Sequence, residues 1–385
     1  MRKPRVNPKQ LDLWTYEMGG IYNALEGEII RIITKRLNSG HENLLSWQAQ
    51  KLSELGLFND DVTRLLAETT NLSSTRITEI FEDTGMGAVN SIDKVVNQDT
   101  LPMSNDIDLI MEGYREQAWT DLDNYVHQTL ITTQYGVGTA QRAYTKVLNE
   151  TQAMFNTGMY TFEQSLERSV RELAHQGISS GLTDRRGHTW NLEGYVRTTL
   201  KSTLNRTYNE VRTSRMGEYG IYTVLVTSHA GARAKCSKIQ GNVVDLRPMS
   251  QLPPDSKYRS IYDPYWEADY LSPGGHHGVN CGHLHIPFID GVNTNNQTKY
   301  NDKENKEIAK HRSTQRRIER EIVKYKKSLM VADSMGNQAN VDYYKMMVGR
   351  RQKAMRKHLD TNGSHLRRQY EREKVYVPLE TLLAN

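Results

Sequence analysis

The chain has 385 residues, 37% of them hydrophobic, with 50 Lys and Arg against 45 Asp and Glu, 12 His and only two Cys. That length exceeds what a single growing core serves, so two or three domains are expected, and a mean hydropathy of −0.70 points to long, solvated helices. No apolar stretch follows the basic start Met1-Arg2-Lys3, and no run of about 18 apolar residues occurs. A signal peptide, a membrane span and a disulfide scaffold are therefore not expected, and synthesis is expected in the cytosol.

Apolar residues at Leu13, Met18, Ile21, Leu25, Ile29, Ile32, Ile33 and Leu37 make one helical stripe over 10–37. Asn59-Asp60-Asp61 opens a second helix over Val62, Leu65 and Leu66, and 73–96 continues in the same style with a weak point at Gly85 and Gly87. Asn105-Asp106 can cap a helix over 107–132, and Thr161-Phe162-Glu163-Gln164 has the form of a capping box for a helix ending near Gly177. A polar loop over 179–188 then precedes a helix from Leu192 to the neighbourhood of Tyr219.

Ile221, Tyr222, Val224, Leu225 and Val226 have the β-branched and aromatic character of a short buried strand, with Val243-Val244 and 282–288 as further strands. Between them, 248–278 is rich in Pro, Gly, Asp and Ser and reads as a long structured loop. Asn293-Thr294-Asn295-Asn296-Gln297 reads as a linker. Helices over 302–331 and 337–359, broken near Gly336, make a helical hairpin, and a tail from Val375 carries apolar residues able to dock on a neighbour. The expected fold is mainly α: a long helical N-terminal region (1–219), a small α+β Cys/His module (220–292), a basic helical hairpin (293–374) and a tail (375–385).

Both cysteines and five histidines (His229, His276, His277, His283 and His285) fall between Ser228 and Gly291. In an extended segment side chains alternate, so Cys281, His283 and His285 share one face. His229 and Cys236 complete the expected ligand set for zinc, namely His229, Cys236, Cys281 and His283, with His285 as substitute. A zinc clip would hold together a loop-rich module with few large apolar residues. The spacing contains no C-x-x-C pair, and the same residues also read as small buried thiols and satisfied loop histidines. Cys281 with His283 or His229 has the makings of a nucleophile–base pair. However, Glu267 is the only glutamate of the segment, and no H-E-x-x-H, G-x-S-x-G or phosphate-binding glycine loop occurs. No catalytic residue is assigned, and a non-enzymatic protein is expected, with a Cys/His or zinc-dependent hydrolase as the rival.

The positive charge is local. Between Lys299 and Lys374, 21 Lys and Arg face 10 Asp and Glu, in a chain whose net charge is only +5, so the remainder is acidic. Arg316, Arg317, Arg320, Lys324, Lys326, Lys327, Arg350, Arg351, Lys353, Arg356 and Lys357 are the candidate contacts to a polyanion, by counterion release and without reading base sequence. A solvated helix face held by Glu–Lys pairs, or a hairpin packed on an acidic protein surface, is the alternative.

Arg215-Met216-Gly217-Glu218-Tyr219-Gly220, Ser228-His229-Ala230-Gly231-Ala232-Arg233, Gln240-Gly241, Asn280-Cys281-Gly282-His283, Pro287-Phe288 and Gly291-Val292 together resemble the phage minor capsid protein 2 family, a relative of the Mu-type head morphogenesis proteins. Gln315-Arg316-Arg317-Ile318-Glu319-Arg320-Glu321-Ile322 is similar to that family's basic C-terminal helix. The resemblance implies a low-copy structural protein of a tailed-phage virion, in the capsid interior or at the portal vertex, acting in head assembly or genome delivery. Its implied partners are the portal protein, major capsid or scaffold proteins, packaged double-stranded DNA and further copies of itself. The rival then becomes an effector enzyme packaged with the genome. Gly282 stands where the family has arginine, and Cys236 where it often has histidine, an exchange that keeps metal-ligating capacity.

Overall fold

The computed structural model describes residues 6–39, 44–96, 101–132, 136–185 and 187–375. The C-terminal tail beyond Val375, expected to dock on a neighbour, lies outside these residues. Among them no helix is long and apolar enough to cross a membrane. The protein is mainly α, with two small sheets among the described residues, and it divides into two compact units built from discontinuous segments.

The first unit comprises Met1–Thr15, Ile77–Ala118 and Thr198–Thr314. The second comprises Tyr16–Arg76, Trp119–Arg197 and Gln315–Asn385.

In chain order, α1 (Pro8–Leu37), α2 (Leu44–Ser53), α3 (Leu55–Val96) and α4 (Asn105–Leu122) are followed by a π-helical turn, Asp123–His127, and α5 (Gln128–Ile131). The stripe on α1 is the expected one but for its start: Trp14 is buried and Leu13 faces outward, because the four-residue step back from Met18 falls on Trp14. Asn59-Asp60-Asp61 does not open a helix. It lies one turn inside α3, which runs unbroken through Gly85 and Gly87. Those glycines are sites of close approach and not a weak point, since a Cβ on Gly85 would fall 1.7 Å from Met111 Sδ and one on Gly87 2.2 Å from Val6 Cγ2.

In the second unit, α6 (Thr139–Asn156) and α7 (Phe162–Gln176) pack together. The α7 capping box is present as expected, Thr161 Oγ1 accepting from Gln164 N–H at 3.2 Å while Gln164 Oε1 accepts from Thr161 N–H at 3.1 Å. The expected polar loop over 179–188 is instead largely a hairpin, β1 (Ser179–Thr183) with β2 (Thr189–Asn191). Small hydroxylated residues close it, Ser180 Oγ donating to Trp190 O at 3.0 Å. After α8 (Leu192–Glu218) and the first unit's sheet, α10 (Asp302–Ser334) turns at Gly336 into α11 (Gln338–Asn362). Ile318 and Ile322 of α10 meet Met355 and Leu359 of α11, and Ala332 meets Val341 and Tyr344 near the turn, so the pair is the expected antiparallel hairpin.

The second unit carries ionic groups in its interior. Glu26 is 0% exposed and binds Lys327 Nζ at 3.1 Å and the Ile178 N–H at 2.9 Å, so Lys327 is an internal cation and not a surface one. A buried chain also links Ser73 Oγ, Tyr22 OH, His127 and Asp123, with Tyr22 OH 2.8 Å from His127 Nε2.

In the first unit, β3 (Thr223–Val226) is the central strand of an antiparallel sheet in the order β4-β3-β5, with β4 spanning Val243–Asp245 and β5 His285–Pro287. The third strand is shorter than 282–288, since His285, Ile286 and Pro287 are the residues in register with β3, and Phe288 closes its end by donating its N–H to Thr223 O at 2.9 Å. Val224, Val226 and Val244 bury one face against Met216, Ile239, Ile261 and Trp266, each valine contributing about 1.5–3 kcal/mol by burial. The one-turn helix α9 (Ala234–Ser237) leads into β4. The stretch 293–297 is not a loose linker, since Gln297 Oε1 accepts from Ser228 N–H at 2.7 Å and Asn295 Nδ2 donates to Gly241 O at 2.9 Å.

Removing one partner of a buried ion pair leaves an uncompensated charge, so Lys327→Ala is expected to cost about 3–5 kcal/mol. Glu26→Gln combined with Lys327→Met keeps an acceptor for Ile178 and should recover part of that loss. Urea unfolding of the three proteins checks this, and a loss below about 1 kcal/mol in Lys327→Ala would rule the pair out as a structural element. A second expectation concerns acid. Burial, with Lys324 alongside, pushes His175 down to about 4, where its ring lies 2.8 Å from Ser328 Oγ. An unfolded histidine binds its proton near about 6.5, so the unfolded state takes up more protons between those values and stability falls as pH drops through that window. His175→Gln should lose less stability than the wild type between pH 7 and pH 4, measured by thermal melts.

Candidate metal centre

The cluster is built around the end of β3. Beyond the last paired residues the ladder continues through Thr227 N–H to Leu284 O at 2.9 Å and Leu284 N–H to Thr227 Oγ1 at 2.8 Å, which brings 281–285 alongside 227–229. The expected alternation holds, with Cys281, His283 and His285 buried and Gly282 exposed. Cys236 is presented by α9, which packs with Ala232 against Cys281.

A loop brings the remaining histidines inward. Among the described residues, five non-glycine residues have left-handed backbone, and all lie between 267 and 280: Glu267, Asp269, Leu271, His277 and Asn280. Such conformations cost on the order of 1 kcal/mol or more each and persist where surroundings over-determine them. His276 N–H donates to Ala268 O at 2.8 Å and Leu271 N–H to His276 O at 2.9 Å. The tightness of this fold-back requires glycine at 275, where a Cβ would meet Asp269 O at 1.9 Å.

The result is a buried group of Cys236, His276, Cys281 and His283, whose donor atoms all lie within 4.8 Å of one another. A second buried group, His276, His277 and His285, shares His276 with it. Three of the four residues expected from sequence therefore meet. The fourth position is taken by His276, and His229 instead stacks on the His283 ring with 4.0 Å between centroids. His285, the expected substitute, sits in the second group, its Nε2 3.0 Å from His276 Nε2. Sequence reading missed His276 and Gln240 as parts of the centre. The one available signal was the Pro273-Gly274-Gly275 run before His276, which marks a sharp fold-back but not its target.

The electrostatics divide the two cysteines. Both are free thiols and buried. Hydrogen bonding from Cys236 holds Cys281 far below the ordinary thiol value, while the contact with Cys281 and burial push Cys236 up. Burial lowers His276, His277 and His285 below the usual imidazole range and His229 to about 4, so these rings are neutral. Neutral imidazole and thiolate are the ligand forms of these side chains.

His283 Nδ1 lies 3.4 Å from Cys281 Sγ, while its Nε2 lies 3.2 Å from Gln240 Oε1. The amide oxygen can only accept, so Nε2 carries the hydrogen and Nδ1 is the ring nitrogen that faces Cys281 Sγ. Nδ1 of His229, His276 and His285, Nε2 of His277 and Nε2 of Gln240 are buried and make no hydrogen bond among the described residues. Buried nitrogens without partners are uncommon and call for a ligand, an ion or water.

The basic candidates sort by exposure. Arg317, Arg320, Lys324, Arg350, Lys353, Arg356 and Lys357 are exposed, whereas Arg316 pairs with Glu319 at 2.7 Å, Arg351 with Glu321 at 3.2 Å, and Lys326 donates to Glu373 O at 2.6 Å. Elsewhere in the second unit, a groove of about 820 Å³ bordered by Tyr125, Arg142, Lys146 and Gln176 has no carboxylate, imidazole or thiol on its walls among the described residues.

The model of the family described as Phage minor capsid protein 2 matches residues 6–360. A structural protein of Lactococcus phage LL-H is 29% identical over 370 residues, covering 95% of this chain and 98% of that relative. A structural protein of Lactococcus phage mv4 is 34% identical over 119 residues, covering 31% of this chain and 93% of the relative. No solved structure matches the chain. A match that spans both units, from the start of α1 to the end of α11, means that the chain belongs to the phage minor capsid protein 2 family and is a structural protein of the virion.

Proposed function

We propose that this minor capsid protein occupies the portal vertex of the head and there contacts packaged double-stranded DNA through the outer faces of the α10–α11 hairpin, acting in assembly or genome delivery. The observation that carries the DNA contact is the pattern of exposed cations. Arg317, Arg320 and Lys324 follow one another at steps of three and four along α10, as do Arg350, Lys353 and Lys357 along α11, so each set forms a stripe. Arg320, Lys324, Arg350, Lys353, Arg356 and Lys357 form no ion pair among the described residues. Such stripes suit phosphates met in any order and carry no means of reading bases.

The portal vertex is supported by the family's description as a minor capsid protein. A family named for a minor component needs a place that occurs rarely, and the portal is the unique vertex of a tailed-phage head. Contacts with the portal protein, with major capsid or scaffold proteins and between copies belong to this reading. So does the absence of catalysis, supported by the 1% exposure of Cys236 and 5% of Cys281, too little for a nucleophile that must meet a substrate.

Affinity for duplex DNA is expected to fall steeply with salt, with a log–log slope of about −5 for six phosphate contacts. Replacing Arg350, Lys353 and Lys357 by Gln should flatten the slope by about 3. Fluorescence anisotropy with unrelated duplexes tests this, and a salt-independent or sequence-dependent affinity would sink it. For location, electron cryo-microscopy of heads carrying a labelled copy should give density at one vertex. Density spread over the capsid lattice would overturn the portal reading.

A further inference from the structure

We propose that Cys236, His276, Cys281 and His283 bind one zinc ion in a closed, structural Cys2His2 site, with Gln240 holding His283 from behind. The geometry is the first support. A tetrahedral zinc with bonds of about 2.0–2.3 Å spaces its ligand atoms roughly 3.3–3.8 Å apart, and the four donors here already lie within 4.8 Å of one another. They come from three separate stretches of chain: α9, the 267–280 loop and the segment leading into β5.

The arrangement around His283 is the second support. A zinc-bound histidine directs one ring nitrogen to the metal and donates the other N–H to a carbonyl-type oxygen, which sets its tautomer. His283 is already so disposed, Nδ1 toward Cys281 and Nε2 on Gln240 Oε1 at 3.2 Å. The same Oε1 accepts from His229 N–H at 3.2 Å, so Gln240 is tied to the segment that follows β3 as well as to the ligand.

The third support is what the site otherwise leaves unexplained. His276 Nδ1 is fully buried and makes no hydrogen bond among the described residues, and the loop carrying His276 contains every left-handed non-glycine residue found among them. A metal bond to His276 would satisfy a ring that the fold has brought inside and hold a backbone that its local preferences oppose. With four protein donors and all four residues buried, no position remains for a zinc-bound water, so the ion would be a clip and not a catalyst. The inference is independent of where the protein sits in the virion.

The test uses the full chain, untagged and purified without chelator. Elemental analysis should find about one zinc per chain, lost in Cys281→Ser and His276→Ala and retained in His229→Ala and His285→Ala. Retention in His276→Ala with loss in His229→Ala would replace the site with a different ligand set, and substoichiometric zinc with no uptake on titration would overturn it outright. Because ligand variants can fail to fold, the wild type is also exchanged into cobalt(II). The intense visible bands of a tetrahedral ion with near-ultraviolet thiolate charge transfer are expected. A weak octahedral spectrum without thiolate bands would overturn the proposal. If only the His276, His277 and His285 group binds, cobalt would show imidazole ligation without sulfur, and Cys281→Ser would keep its zinc; that result also rejects the Cys2His2 site.

Discussion

The central place of β3 in its three-stranded sheet is the constraint on which the Cys/His centre depends. Paired on both edges, β3 fixes the register of β5, and through it which of residues 281 to 288 turn inward. A slip of one residue would expose Cys281, His283 and His285 together and bury Gly282 and Leu284 in their place. What prevents the slip is the valine face of β3 and β4, packed on Met216, Ile239, Ile261 and Trp266. The apolar core of the first unit thus sets the register, and the register selects the polar centre.

The long helix α8 ties that sheet to its surroundings by charge. Arg212 Nη2 donates to His285 O at 2.8 Å, and its side chain also bonds Ser91 Oγ. Arg215, 1% exposed, binds Asp93 at 2.7 Å, Glu218 at 2.5 Å, the carbonyls of Leu101 and Pro102, and Tyr219 OH. A planar guanidinium with five donors can satisfy several carbonyls and carboxylates at once, which lysine cannot. In the second unit the internal Glu26–Lys327 pair has a similar character. A chain with modest apolar content therefore fixes its helices partly by buried, hydrogen-bonded charge, which contributes specificity of arrangement more than net stability.

Much of the helical architecture was legible because its signals are local. The stripe on α1, the Thr161 capping box, the limits of α8 and the break at Gly336 follow from periodicity, caps and a turn glycine. The misreadings came where local signals have two meanings. Asn59-Asp60-Asp61 has the composition of a helix start, yet it lies within α3. Gly85 and Gly87 suggested a break but admit Met111 and Val6 instead. Ser179 to His188 reads as a polar loop, and only pairing across Gly181 makes most of it a hairpin.

The sequence by itself determined that helices would dominate, that cations would gather on the last two long helices, and that Cys236, Cys281 and His283 would share a small module, since each depends on residue type and short spacing. Only the tertiary structure decided that His276 and not His229 joins them, that Gln240 backs His283, and that Lys327 turns inward to Glu26. Those contacts link residues tens to hundreds of positions apart, and His276 arrives through a fold-back whose left-handed residues carry no sequence signature beyond a proline and two glycines. Side-chain chemistry is written locally, whereas its partners are selected by packing and register, which no short stretch of chain contains.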